Sequence, residues 1–192
     1  MSASAQRPGW LVDAERVDVA VYAAVAATPT PSLDRGMAWL ASAADYSRLS
    51  LASAAVLAVA RGERGRRAAA SGLASIAVTA TVVNAVVKPL ARRRRPDRES
   101  LAVPIDRHIE MPRSRSLPSG HSAAAFAFAT GVGHVLPREA TLLRALAATV
   151  AYSRVHTGVH FPGDVVIGSL LGTTFAQLTW HALERREITR WG

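Results

Sequence analysis

The chain has 192 residues, 49% of them hydrophobic and 19% charged, with a formal net charge of +9. Its charges gather in short runs between long apolar stretches, which argues against an ordinary soluble domain of this size and for a small polytopic membrane protein. It has no cysteine, so neither a disulfide framework nor a thiolate metal site is open to it.

The opening stretch, MSASAQRPGW, lacks the charged start, apolar core and small-residue cleavage site of a removable signal peptide, so insertion is expected to rely on internal apolar segments. A first helix is predicted over 11–27. Asp13, Glu15, Arg16 and Asp18 in its first half mean that it either enters the membrane partly or lies at its surface. Pro29, Pro31 and Asp34 then form a short turn.

Five further segments, 38–60, 68–90, 120–136, 140–156 and 163–183, are apolar enough to be buried in lipid or in a helical bundle, several of them near the lower limit of spanning length. They are rich in Ala, Gly, Ser and Thr, which let helix backbones approach closely. Asp45 and Arg48 are ionisable residues inside the first of these segments. They flag a functional position or mark where the helix meets the interface. Tight turns are expected at Arg61 to Arg67 and at Pro137-Arg138-Glu139. The one long connection, 91–119, carries eight arginines, and loops of that length are usually functional or disordered.

Three short patterns stand at the ends of these segments. Lys88, the only lysine in the chain, opens the run KPLARRRRP to Pro96; Pro118-Ser119-Gly120-His121 follows; and Ser153-Arg154 leads, across five intervening residues, to His160 and then to Asp164. Lys88 ends one apolar segment and Ser119 begins the next. The chain then crosses twice, so Arg154, His160 and Asp164 return to the face it left. All three patterns therefore converge on one membrane surface.

A phosphate monoester carries about two negative charges near neutral pH, and its transfer needs the non-bridging oxygens neutralised while a nucleophile approaches in line. Lys88, Arg95 and Arg154 supply cations; Ser119 and the Gly120 amide add donors at a helix start, where an anion is favoured. His160 fits the nucleophile, Asp164 the group that fixes its tautomer, and His121 the acid for the leaving alkoxide and the base for water. No metal or other cofactor is required, because Asp164 is the only carboxylate in the patterns, although Asp97, Glu99, Asp106 and Glu110 lie in the long loop.

Arg92, Arg93 and Arg94 read as a surface anchor for anionic lipid. His156 reads as a supporting or loop residue, His108, His134 and His181 as structural or solvated, and Ser153 as a hydrogen-bonding neighbour of the site. The arginines lack the interleaved aromatics of a base-stacking surface, so the expected partners are the bilayer and a lipid phosphate, with no nucleic acid. Oligomeric state is left open.

The pattern K-x6-R-P, P-S-G-H, S-R-x5-H-x3-D is complete here, and on it the chain resembles the type 2 phosphatidic acid phosphatase family, whose active site is shared with bacterial acid phosphatases and vanadium haloperoxidases. The resemblance covers about residues 37–183. It implies an all-α membrane bundle of five or six helices with its core at 37–183, an N-terminal segment at 1–36 and a basic tail at 184–192. It also implies a cell-membrane phosphatase with an extracytoplasmic site, forming a phosphohistidine on a lipid phosphate or diphosphate such as phosphatidic acid, phosphatidylglycerol phosphate or a polyprenyl phosphate. The same residues would serve a phosphotransferase or, less readily in so apolar a chain, a vanadate-dependent haloperoxidase. A non-enzymatic scaffold sits poorly with an intact set of motif residues.

Overall fold

The computed structural model describes the backbone of residues 8–191 and side chains through residue 184, so the side chains of the basic stretch expected at the C-terminus lie outside the described residues. All regular structure among the described residues is helical: α1 (Gly9–Ala27), α2 (Pro31–Ala43), α3 (Arg48–Ala60), α4 (Gly62–Val82), a π turn over Val83–Val87 leading into α5 (Lys88–Ala91), α6 (Gly120–Gly133), α7 (Pro137–His156) and α8 (Pro162–Trp191). Helix α6 is the hub. It packs against α4, α7 and α8 and buries residues all round its circumference, as an apolar helix without a polar face must.

Close approach around α6 depends on glycine. A Cβ placed on Gly131 of α6 would meet Gly72 Cα of α4 at 2.8 Å, and one on Gly172 of α8 would lie 2.1 Å from the Ala123 carbonyl oxygen. One helical turn earlier, a Cβ on Gly168 would lie 2.5 Å from the Ser119 carbonyl oxygen, so the same seam of α8 fixes the start of α6. With backbones this near, dispersion and small-residue packing can hold the helices where lipid offers no hydrophobic driving force between them. A cluster of Ala54, Leu57, Ala68, Phe128 and Val132 fills the space between α3, α4 and α6.

The continuous helix Gly62–Ala91, with mean hydropathy 1.7 over its most apolar window, is the one among the described residues that is long and apolar enough to cross a membrane by itself. Outward faces are apolar elsewhere too, with Leu51, Val56 and Val59 of α3 and Val166, Leu170 and Leu178 of α8 exposed.

Several expected boundaries shift. The segment expected at 38–60 is two helices, broken where Tyr46 (φ 55°) and Ser47 (φ 58°) adopt left-handed backbone, at a cost of about 1 to 2 kcal/mol each for non-glycine residues. The basic turn expected at Arg61 to Arg67 contracts to Arg61-Gly62, and Arg64, Arg66 and Arg67 ride on the first turns of α4. Gly62 at φ +55° makes that turn possible.

The long connection 91–119 is tied down. Arg107, fully buried, donates to Asp34 Oδ1 (2.8 Å), the Thr28 carbonyl (2.6 Å) and Thr30 Oγ1 (3.0 Å) at the α1–α2 corner. Asp34 also faces His156 Nε2 at 3.0 Å, so one carboxylate joins the loop, α2 and α7.

Gly172→Val is expected to force α6 and α8 apart and to lower the thermal midpoint of the detergent-solubilised protein by about 5 °C or more, measured by thermal unfolding beside the unchanged chain.

Candidate active site

Four helix ends meet at one end of the bundle. Pro89 has no N–H to offer the Ala85 carbonyl in a regular α-helix, and the π turn over Val83–Val87 precedes it. Arg92, at φ 49°, then stops the helix just beyond Lys88. Ser119 caps α6, its Oγ accepting from the Ser122 amide (3.4 Å), and its own N–H donates to the Asp164 carbonyl (2.9 Å) at the start of α8. The 157–161 turn folds back on α7 through Val159 and His160 amides donating to the Arg154 carbonyl.

His160 sits at the centre, almost wholly buried. Its Nε2 is 3.1 Å from Arg95 Nη1. Because a guanidinium only donates, Nε2 carries the lone pair and Nδ1 the proton. Nδ1 lies 3.4 Å from both Asp164 Oδ2 and Ser116 Oγ. Burial, outweighing the pull of Asp164, pushes the His160 imidazole down from 6.5 to about 4. It is therefore a neutral base at physiological pH.

Asp164 is itself saturated with donors. Ser116 Oγ and the Phe161 amide (3.0 Å) donate to Oδ2, and Arg93 Nη1 donates to Oδ1 at 2.9 Å. The other arm of Arg93 grips Asp18 Oδ2 of α1 at 2.6 Å, and Asp18 Oδ1 accepts from the Gly163 amide at 2.6 Å. Arg93, expected from the sequence to anchor lipid, instead holds these two carboxylates. Its position opposite Asp164, set by the path of the loop, is the physical reason.

Lys88 Nζ and Arg95 Nη2 share Ser114 Oγ (3.2 and 3.3 Å), and Arg95 also donates to the Ser114 and Val159 carbonyls. All these partners are neutral, so two positive charges face the site without a carboxylate among their hydrogen-bond partners. Both line a cavity of about 250 Å3 together with Gly120, His121 and His160. The same cavity is lined by Leu49, Ser50 and Ser53 of α3, Phe128 of α6 and Leu143, Leu146 and Val150 of α7.

Arg154 is fully buried beside the His121–Asp45 pair, with Nη1 donating to the Ala41 carbonyl at 2.9 Å. Its Nε has no hydrogen-bond partner among the described residues. His121 Nε2 is 2.7 Å from Asp45 Oδ1, and Arg154 Nη1 is 3.8 Å from the same oxygen.

The structure thus brings Lys88, Arg95, Gly120, His121 and His160 to one cavity, with Arg154 and Asp164 immediately behind. Ser119 is buried, and its hydroxyl is engaged in the cap. Ser153 bonds the Val150 carbonyl of its own helix, and His134 stacks on Trp180 at 4.7 Å, remote from the site. Ser114, Ser116, Asp18 and Arg93 were missed by sequence reasoning. The serines carry no signal in an irregular loop, whereas Asp18 could have been suspected as a carboxylate within an apolar helix. Among the described residues no three His, Asp or Glu side chains cluster as a metal site would need.

Residues 68–188 match the family described as the PAP2 superfamily, and the chain belongs to it. The decaprenylphosphoryl-5-phosphoribose phosphatase of Mycobacterium tuberculosis H37Rv is 35% identical over 51% of this chain and 52% of that protein, so the chain spans about half the length of that curated relative. The phosphatase of the same name from Mycolicibacterium smegmatis is 32% identical over 80% of each chain. Among solved structures, Aquifex aeolicus LpxE gives a TM-score of 0.68 at 23% identity over 86% of this chain and 95% of its own. The transmembrane PAP2 type phosphatidylglycerolphosphate phosphatase of Bacillus subtilis gives 0.64 at 24% over 90% and 87%. At these identities the structural likeness is one of fold.

In the substrate-free protein His160 is expected to stay neutral down to about pH 4, which a 15N-histidine NMR titration in detergent, assigned with His160→Gln, will read. Because the unfolded chain takes up that proton first, near 6.5, the stabilising effect of a neutral His160 is complete above pH 6.5 and declines as pH falls toward 4. The drop in thermal midpoint between pH 7 and pH 5 should accordingly be smaller in His160→Gln.

Proposed function

We propose that this chain is a multi-pass membrane hydrolase that removes phosphate from a lipid phosphate or diphosphate by way of a phosphohistidine. The observation that carries the reading is one cavity lined both by Lys88, Arg95, His121 and His160 and by a largely apolar set from α3, α6 and α7 that includes Leu49, Phe128, Leu143 and Leu146. An amphiphile with a phosphate at one end and a hydrocarbon chain at the other matches both sets. Family membership and the phosphatase relatives support the reaction class. The decaprenyl substrate in those relatives' names supports a polyprenyl carrier as the tail.

In the first step the Nε2 lone pair of His160 attacks phosphorus as the ester P–O bond breaks. His121 gives its proton to the departing alkoxide. Arg95 turns its Nη1 from the imidazole to the phosphoryl oxygens, joined by Lys88, the Gly120 amide and the unpaired Nε of Arg154. Asp164, held by Ser116 and Arg93, keeps the proton on Nδ1 and stabilises the charge that appears on the ring. In the second step His121 takes a proton from water, whose oxygen displaces His160 from phosphorus.

The membrane placement rests on the apolar outer faces of α3 and α8 and on the helix Gly62–Ala91. We place the site on the extracytoplasmic side. Exposed arginines stand at both ends, Arg92, Arg94, Arg113 and Arg115 of the long loop with Arg48 at this end and Arg61, Arg64, Arg66, Arg67 and Arg138 at the other, so the charge count is even and the assignment follows the family resemblance.

Detergent-purified protein should release phosphate from a panel of lipid phosphates in the presence of EDTA, with inhibition by vanadate, and His160→Ala should lose about a thousandfold or more. Activity surviving in that variant, or strict dependence on a divalent ion, would overturn the mechanism. Leu146→Trp, which adds bulk to the apolar lining, should reduce turnover of long-chain lipid phosphates about tenfold while leaving a short, soluble phosphate ester unchanged, as read by kcat/KM on the two substrates.

A further inference from the structure

We propose that Asp45 is the carboxylate partner of His121, a positioning residue that lets this histidine carry and return the leaving-group proton. The proposal rests on the phosphatase reading above. It gives the site a second Asp–His pair beside that of Asp164 and His160.

Three observations carry it. First, Asp45 Oδ1 lies 2.7 Å from His121 Nε2, closer than the 3.4 Å between His160 and Asp164. Second, Asp45 occurs where the helix breaks. The left-handed backbone of Tyr46 and Ser47 interrupts what would otherwise be one apolar helix, and strain of this kind persists only where surroundings enforce it. Third, the charges around His121 make an anion necessary. Arg154 from α7 and Lys88 from α5 act on it with positive charge, and Asp45 is the acidic group among the described residues that acts on it in the opposite sense. Burial and these two cations favour the neutral ring and Asp45 opposes them, so a His121 that takes up a proton in turnover depends on it.

The two carboxylates are built for different tasks. Asp164 is fully buried and surrounded by donors, which suits it to hold one tautomer of His160 in place. Asp45 is 40% exposed along its side chain and has His121 as its close partner, with Arg154 at the edge of reach. It suits a ring that changes protonation twice in each turnover. With Nε2–H donated to Asp45, the proton that moves is the one on Nδ1. It passes to the alkoxide oxygen as the P–O bond breaks, leaving a neutral imidazole, and it is replaced from water in the second step.

The test compares kcat/KM for an alkyl lipid phosphate, whose leaving group must be protonated, with that for nitrophenyl phosphate, whose leaving group needs no proton. Asp45→Asn should lower the first about 100-fold and the second by less than about threefold. The basic limb of the alkyl-ester pH profile should move to lower pH, and Asp45→Glu should recover part of the loss. His121→Asn should likewise lose more on the alkyl ester than on nitrophenyl phosphate, and on the alkyl ester the double variant should lose little more than His121→Asn alone. Equal loss on both substrates, in Asp45→Asn protein with an unchanged thermal midpoint, would overturn the proposal. So would a gain in activity with tighter inhibition by inorganic phosphate, which would mean that Asp45 occupies the anion's own seat. If wild-type protein releases phosphate from neither substrate, the functional reading fails. If it does so in a His160-dependent way while Asp45→Asn matches it on both, only the role of Asp45 is lost.

Discussion

One buried carboxylate organises this end of the molecule. Asp164 has no exposed side-chain surface, and a bare carboxylate there would be intolerable without partners. Ser116 from the long loop, the Phe161 amide, Arg93 and the His160 ring supply them. Through Arg93 the same network reaches Asp18 on α1. The need to satisfy a single charge in a low-dielectric setting thereby fixes the path of the loop, the seating of the first helix and the tautomer of the histidine. Removing one partner would leave the others buried and incomplete, which is why breaking such networks costs far more than their net contribution to stability.

Beneath that network the bundle supplies distance control. Gly168 and Gly172 let α8 lie against the backbone of α6, and the first of these contacts is with Ser119, next to Gly120 and His121 on the cavity. Helix packing and site geometry are therefore one problem. A displacement of α8 by the width of a methyl group would carry Asp164 away from His160 and loosen the cap of α6 together.

What the sequence disclosed, and what it did not, follows from the range of the interactions involved. The meeting of Lys88, His121 and His160 could be inferred because helix parity is a local property that accumulates predictably along the chain. The helix break at Tyr46 and Ser47 could not, since neither residue favours left-handed backbone and that conformation is imposed by the surrounding fold. Arg93 looks no different from Arg92 and Arg94 in the run, yet it alone of the three meets Asp164 and Asp18. Only the three-dimensional course of the loop distinguishes them. Ser114 and Ser116 are two small polar residues among many, and nothing in their neighbours marks them. Asp45 was conspicuous as a charge in an apolar stretch, but its partner lies 76 positions away.

Asp18 and Asp45 share one further property: both precede residue 68, where the family match begins. The block that matches the family model thus includes His121 and His160 but begins downstream of two acids that touch them or steady their surroundings. Grafting residues 68–188 of this chain onto a foreign N-terminal half would therefore carry over both histidines without the carboxylates that α1 and the 45–47 break bring to them.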